Sequence, residues 1–217
     1  MASRLHGIAA IGFDLDNTLY DRDAAMSAWL KSIFPDNPGL AQEAIQRDNS
    51  GFIPRRDFYV WLSDRVDWAR GWRDVEVRYQ EEVLPFIAED AAITEAIRDL
   101  ALRYRLGILT NGGAHFQRLK FGLLKAAAFF APERVFVSGE IGHDKPDARA
   151  FLPLMAALDA DPEQILFVGD NPDNDIQGAA AHGMKTCWIR LAPHHMARVA
   201  PDLTLASVAE LPAALLG

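Results

Sequence analysis

Short apolar runs and longer helical stripes alternate along most of this chain, with one interruption. Ile8-Ala9-Ala10-Ile11 is almost purely apolar and predicts a buried strand from about Gly7 to Asp14. Between Tyr20 and Leu84 no strand-like run occurs. There Met26, Leu30, Ile33 and Phe34 fall at helical spacing, as do Phe58, Trp61, Leu62, Val66 and Ala69. Loop signals at Pro35–Gly39 and Asn49–Pro54 break this region. The pattern predicts three or four helices with a small core of their own, to which Trp29, Trp61, Trp68 and Trp72 are assigned. Tyr20-Asp21-Arg22 and Leu84-Pro85-Phe86 are the candidate hinges on either side.

After Leu84 strands and helices alternate. Ile93, Ala96, Ile97, Leu100, Ala101 and Tyr104 make one helical stripe, and Leu106–Leu109 then reads as a buried strand ending in Thr110-Asn111-Gly112-Gly113. A helix over about Ala114–Lys125 leads to a strand at Val135–Val137. A further helix carries Phe151, Leu154, Met155 and Leu158, with Pro153 expected to bend it or delay its start. Ile165–Val168 is the fourth strand, and Ile176, Ala179, Ala180 and Gly183 line the helix after it. Thr186–Ile189 is a fifth strand and Leu203–Leu205 a short sixth. This order predicts an α/β fold with a parallel sheet covered on both faces.

Half of the 217 residues are hydrophobic, enough for one domain, or one plus an insertion. A net charge of −8 without a basic tract disfavours nucleic-acid binding. The single cysteine, Cys187, sits in an apolar strand and reads as core, so no disulfide framework can form within the chain. The N-terminus lacks a signal-peptide pattern, and no apolar run reaches about 18 residues. These features lead us to expect a soluble cytoplasmic protein that does not enter a membrane; they assign no oligomeric state.

In open α/β sheets ligands gather at the carboxyl ends of the strands. Asp14 and Asp16 follow the first strand, Thr110 and Asn111 the second, and Asp170 the fourth, with Asp175 at the next helix start. Lys145 lies in the loop Gly142-His143-Asp144-Lys145-Pro146. Four carboxylates, a hydroxyl and an ammonium are thus expected to converge. Two aspartates at a buried strand end call for a bound cation, and hard oxygen ligands suit Mg²⁺ with a substrate phosphate. Asp175 could instead be a simple helix cap. His115 reads as a solvated helix-start histidine rather than one facing substrate, and a metal role for His143 and the His194-His195 pair is disfavoured. Arg55 and Arg56 read as a solvated helix start, with a reach to substrate as the alternative.

The set resembles the haloacid dehalogenase superfamily of aspartyl-phosphate phosphatases. Its first motif, D-x-D-x-T, stands as Asp14-Leu15-Asp16-Asn17-Thr18, and its second as Thr110. The third is Lys145-Pro146 and the fourth, G-D-x(4)-D, runs from Gly169-Asp170 to Asp175. The resemblance implies a Rossmann-like catalytic core at 1–19 and 86–217 with a helical cap inserted after the first strand at 20–85. Asp16-Asn17-Thr18-Leu19-Tyr20, Thr186–Ile189 and His194-His195 look most like the pyrimidine 5′-nucleotidase branch. It further implies that Asp14 is the nucleophile and Asp16 the acid–base group. Mg²⁺ would be held by Asp14, the Asp16 backbone carbonyl and Asp170. Lys145 would add positive charge, and Asp175 would position either Lys145 or a metal-bound water. Thr110 with the N–H groups of Asn111 and Gly112 would hold the phosphate, aided by a helix starting near Asn174. The implied substrate is a small phosphorylated metabolite, first of all a nucleoside 5′-monophosphate. Alternatives are FMN, a sugar phosphate or phosphoglycolate as substrate, and phosphosugar mutase, 2-haloacid dehalogenase or non-catalytic binding module as activity. Asp16 argues against the dehalogenase, whose branch carries an aromatic residue there.

Overall fold

A computed structural model of the protein describes residues 5–190 and 198–216. The chain forms two compact units, one of residues 1–20 with 89–217 and one of residues 21–88.

The first unit is built on six strands: β1 (Ala10–Phe13), β2 (Arg105–Thr110), β3 (Val135–Val137), β4 (Ile165–Gly169), β5 (Lys185–Ile189) and β6 (Leu203–Leu205). They form one sheet in the order β3-β2-β1-β4-β5-β6, with every neighbouring pair parallel. This is the Rossmann-like α/β architecture expected from the alternating pattern. The chain leaves β1 for β2 and β3 on one side, then crosses to β4, β5 and β6 on the other. The order therefore reverses beside β1, and the carboxyl ends of β1 and β4 flank the reversal. Ala10, Ile11, Phe13 and Ile165–Val168 are wholly buried, as strands covered on both faces must be. On one side Phe151, Leu154 and Leu158 pack on Phe167 and Leu109. Cys187 is buried in β5.

β1 is shorter than the apolar run suggests. It stops at Phe13, and Leu15 O accepts N–H bonds from Thr18 and Leu19. Asn17 takes a left-handed conformation (φ 57°), which asparagine tolerates. The chain thus curls directly after the strand. The helix carrying Pro153 spans Ala148–Leu158 and begins without delay, because Asp147 caps it by accepting the Arg149 N–H at 2.9 Å. Pro153 sits inside the helix, where it has no N–H to donate to the preceding turn.

The second unit contains α1 (Arg22–Ile33), α2 (Pro38–Asp48), α3 (Arg55–Ser63) and α4 (Trp72–Glu82). Helix α3 ends at Ser63, so Val66 and Ala69 lie beyond it, unlike the stripe read from the sequence. Met26, Trp29, Leu30, Phe58, Leu62 and Val75 form the core, with Trp29 edge-on to Tyr79 at 5.1 Å. Only Trp29 of the four tryptophans is buried there. Trp61, Trp68 and Trp72 are half-buried, and Arg65, Arg78 and Arg73 stack on them at 4.0, 4.2 and 4.7 Å. Arg55 is not a solvated helix start: its guanidinium meets the buried Asp48 at 2.7 Å, and Arg22 pairs with the same carboxylate. Arg56 is exposed.

Candidate active site

Asp14 is the first residue beyond β1, and its N–H donates to Val168 O of β4 at 2.8 Å. It therefore stands at the sheet's reversal, one position before the level of Asp170. The Asp170 backbone is fixed from β5, where the Trp188 indole N–H donates to Asp170 O at 2.8 Å. Asp175 reaches back from a π-helical turn over Pro172–Gln177. Asn171, not Asp175, caps that turn, accepting from the N–H groups of Asp173 and Asn174. The turn starts at Pro172 rather than near Asn174. The cap-only reading of Asp175 therefore fails. Its Oδ2 accepts the Asn171 N–H at 2.9 Å, and its carboxylate lies over Gly169 so closely that a Cβ there would sit 2.3 Å from Oδ2. The glycine of G-D-x(4)-D is required by that close approach.

Carboxylate oxygens of Asp14, Asp170 and Asp175 all lie within 4.8 Å of one another. Lys145 Nζ enters this group, 2.6 Å from Asp14 and 2.7 Å from Asp175, with its side chain 2 % exposed. Asn111 fixes the lysine loop from β2's end: its side chain accepts the Lys145 N–H at 2.8 Å and donates to Lys145 O at 2.9 Å. One ammonium cannot balance three carboxylates, two of them buried and the third half-buried. Burial, reinforced by the charges of Asp175 and Asp16, raises Asp14 to about 7 despite Lys145. Burial and the charges of Asp175 and Asp14 push Asp170 well above the usual carboxylate range. Burial opposes the Lys145 charge, but the two flanking aspartates hold its ammonium well above the usual lysine range. A cluster of hard oxygens with surplus negative charge fits a divalent cation of the Mg²⁺ kind.

The Asp16 carboxylate stands outside this close trio, though its charge still acts on Asp14 and Asp170, and it is held by helix α6 (Ala114–Leu123). Lys120 Nζ lies 2.5 and 2.7 Å from its two oxygens, Gln117 Nε2 donates to Oδ2 at 3.0 Å, and the Tyr20 hydroxyl donates to Oδ1. Burial alone would raise Asp16, but the Lys120 ammonium and these hydrogen bonds outweigh it and hold the carboxyl at about 2. Gln117 also donates to Thr110 Oγ1 at 2.5 Å and to Asn111 O at 2.9 Å, tying α6 to β2's end.

The Gly112 N–H does not point to an open position. It donates to Ser138 Oγ at 2.9 Å, a departure from the expected phosphate contact. The Asn111 side chain is engaged with the Lys145 loop. His115 is exposed on α6, and His143 lies 3.9 Å from Asp147. His194-His195 falls outside the described residues. Lys120, Gln117, Ser138 and Trp188 were not identified from sequence. The sequence carried no signal for the first two, and only the structure shows that α6 buries Phe116, Gln117 and Lys120 while Leu119 and Leu123 are 41 % and 51 % exposed. Polar residues turned inward on a helix with exposed leucines mark a functional face.

The geometry can be set beside known proteins. The profile of the haloacid dehalogenase-like hydrolase family matches residues 11–189. The chain belongs to that family. It is 31 % identical over 197 residues to a glyceraldehyde 3-phosphate phosphatase of Pyrococcus abyssi, covering 84 % of this chain and 82 % of that one. It is 32 % identical over 124 residues to the pyrimidine 5′-nucleotidase YjjG of Escherichia coli, covering 55 % and 52 %. The share of a curated relative that is aligned falls as low as 36 %, so the chain spans about half the length or less of several of them. Among solved structures, the HAD-hydrolase YfnB of Bacillus subtilis, bound to magnesium, superposes with a TM-score of 0.77 at 22 % identity, covering 96 % of this chain and 98 % of that one. Solved 2-haloacid dehalogenases share the fold too, with TM-scores of 0.63 to 0.73 at 15–24 % identity. Among the described residues, no helix is long and apolar enough to cross a membrane.

Proposed function

We propose that this protein is a Mg²⁺-dependent phosphate-monoester phosphatase that works through an aspartyl-phosphate on Asp14. The observation that carries the reading is the Asp14–Lys145–Asp175 array with Asp170 beside it, at the strand-order reversal. The Asp14, Asp170 and Asp175 carboxylates, with the Asp16 backbone carbonyl, would hold the cation. When bound, Mg²⁺ screens an anionic nucleophile from an anionic substrate.

The chain's own residues supply the remainder. An Asp14 carboxylate oxygen attacks phosphorus, and the bond from phosphorus to the ester oxygen breaks. Lys145 stays charged between Asp14 and Asp175 and orients the nucleophile. Thr110 accepts from Gln117, which leaves its hydroxyl proton to donate to a phosphate oxygen. Asp16 gives a proton to the departing alcohol, then takes one from the water that attacks phosphorus and splits the bond to Asp14. Lys120 holds the resting Asp16 ionised, the form required for the second of these steps; for the first, Asp16 takes up a proton from solvent as the substrate enters. The helical unit of residues 21–88 acts as the cap that selects the leaving group.

The substrate is a small phosphorylated metabolite. A nucleoside 5′-monophosphate is the first class to test, supported by the similarity to a pyrimidine 5′-nucleotidase. A three-carbon sugar phosphate is the second, supported by a relative aligned over 82 % of its length. An acidic Asp16 with a cationic partner speaks against the dehalogenase chemistry of other fold relatives. The test is phosphate release from pyrimidine and purine nucleoside monophosphates, glyceraldehyde 3-phosphate, FMN and phosphoglycolate, each with Mg²⁺ and with EDTA. Metal-dependent release led by UMP or dTMP is the expected result. Metal-independent release, or none from any ester, contradicts the proposal.

A further inference from the structure

We infer that Lys120, with Gln117, is a positioning residue that fixes the Asp16 carboxylate for hydrolysis of the phosphoenzyme. The inference deepens the phosphatase reading and rests on it. Asp16 lies within the short curl after β1, closed by the Thr18 and Leu19 N–H bonds to Leu15 O, and the backbone alone leaves its side chain several rotamers. Helix α6 removes that freedom. Lys120 and Gln117 are three residues apart and share the helix's inward face. The Lys120 ammonium contacts both Asp16 oxygens, at 2.5 and 2.7 Å, and its side chain is only 5 % exposed. Gln117 ties the same carboxylate to the Thr110 hydroxyl and Asn111 carbonyl, so the base and the phosphate-binding strand end move as one body. Lys120 itself is seated over the Phe116 ring at 4.9 Å.

The chemistry separates the two half-reactions. Breaking the aspartyl-phosphate needs a base that takes the proton of the attacking water, and the lysine-held carboxylate is that base. Transfer from a donor whose leaving group departs as a stable anion needs no proton from Asp16. With acetyl phosphate, Asp14 attacks phosphorus, acetate leaves with the bonding pair, and no acid is required. Water then attacks the phosphoenzyme, Asp16 accepts its proton, and Asp14 is released as carboxylate. A loosened Asp16 therefore slows the second step and leaves the first.

The test is rapid acid quench of the full chain with Mg²⁺ and acetyl phosphate, comparing wild type, Lys120→Met and Lys120→Arg. For Lys120→Met we expect phosphate release to fall about 10–100-fold, as for a misplaced acid–base group, while the trapped phosphoenzyme rises to most of the protein. Lys120→Arg, which keeps a cation, restores much of the release. Far-ultraviolet circular dichroism verifies that each variant is folded. Wild-type release in Lys120→Met overturns the inference. So does parallel loss of phosphoenzyme and release in folded Lys120→Met, which a structural role alone would produce. A wild-type protein that forms no phosphoenzyme, with Asp14→Asn turning over equally well, overturns instead the covalent reading on which the inference rests.

Discussion

Asp14 and Asp16 are two residues apart, yet one belongs to a cluster short of positive charge and the other to a fully compensated site. Asp14 shares Lys145 with Asp175 and sits beside Asp170, and it rises to about 7. Asp16 meets the Lys120 ammonium, plus donors from Gln117 and Tyr20, and it falls to about 2. The difference follows from where the strand stops. Because β1 ends at Phe13, the chain curls and delivers the two side chains to different partners. An under-compensated anion cluster accepts a cation and then a phosphate; a compensated one keeps a fixed base. The same residue type serves both duties because its counter-charges differ.

The comparison can be broken most forcefully at the nucleophile. Asp14→Asn should lower turnover by about 10⁴-fold or more while the protein remains folded, measured as Mg²⁺-dependent phosphate release. Near-wild-type turnover would remove the covalent role. The next effect is on stability. Lys145→Met strands buried carboxylates and should cost about 3 kcal/mol in urea unfolding with EDTA. Lys120→Met should cost about 1 kcal/mol, because the Asp16 side chain is 26 % exposed and water replaces part of the loss. Equal costs would show that the two lysines sit in equivalent sites.

The pH dependence carries both signs. In EDTA the raised Asp14 binds a proton in the folded state where the unfolded chain has lost it, so stability falls as pH rises from about 4 to 7. The depressed Asp16 acts oppositely: its contribution is present above about pH 4 and is lost as pH falls toward 2. Urea unfolding across this range should therefore peak near pH 4, and saturating Mg²⁺ should flatten the upper limb. A single slope throughout would contradict the contrast. The smallest effect is at the support of Asp170. Trp188→Phe removes one hydrogen bond to its carbonyl, which should cost about 0.5 kcal/mol and weaken Mg²⁺ binding in a calorimetric titration.

The inner strands were legible because parallel strands buried on both faces are continuous apolar runs, as Ile165–Val168 is, and the edge strands Val135–Val137 and Leu203–Leu205 are also found where the sequence puts them. The sheet order brings Asp14, Thr110, Lys145, Asp170 and Asp175 to one edge, as strand-end residues of a parallel sheet must be. Two things were not legible. Trp61, Trp68 and Trp72 look like core in a one-dimensional pattern, but arginines cover their faces instead of neighbouring helices. Lys120 and Gln117 look like the solvent face of α6, since hydrophobic periodicity alone turns Leu119 and Leu123 inward. The demand of a carboxylate 104 residues away reverses that helix, and local pattern does not register such distant pairs.

The most direct test of the account is a mass-spectrometric search for phosphoryl transfer to Asp14 after acid quench of the Mg²⁺-loaded protein with acetyl phosphate. The account predicts one added phosphoryl group on the peptide carrying Asp14, absent in EDTA and absent in Asp14→Asn. Metal-dependent phosphate release with no phosphoryl group on that peptide under any quench time, undiminished in Asp14→Asn, would contradict it.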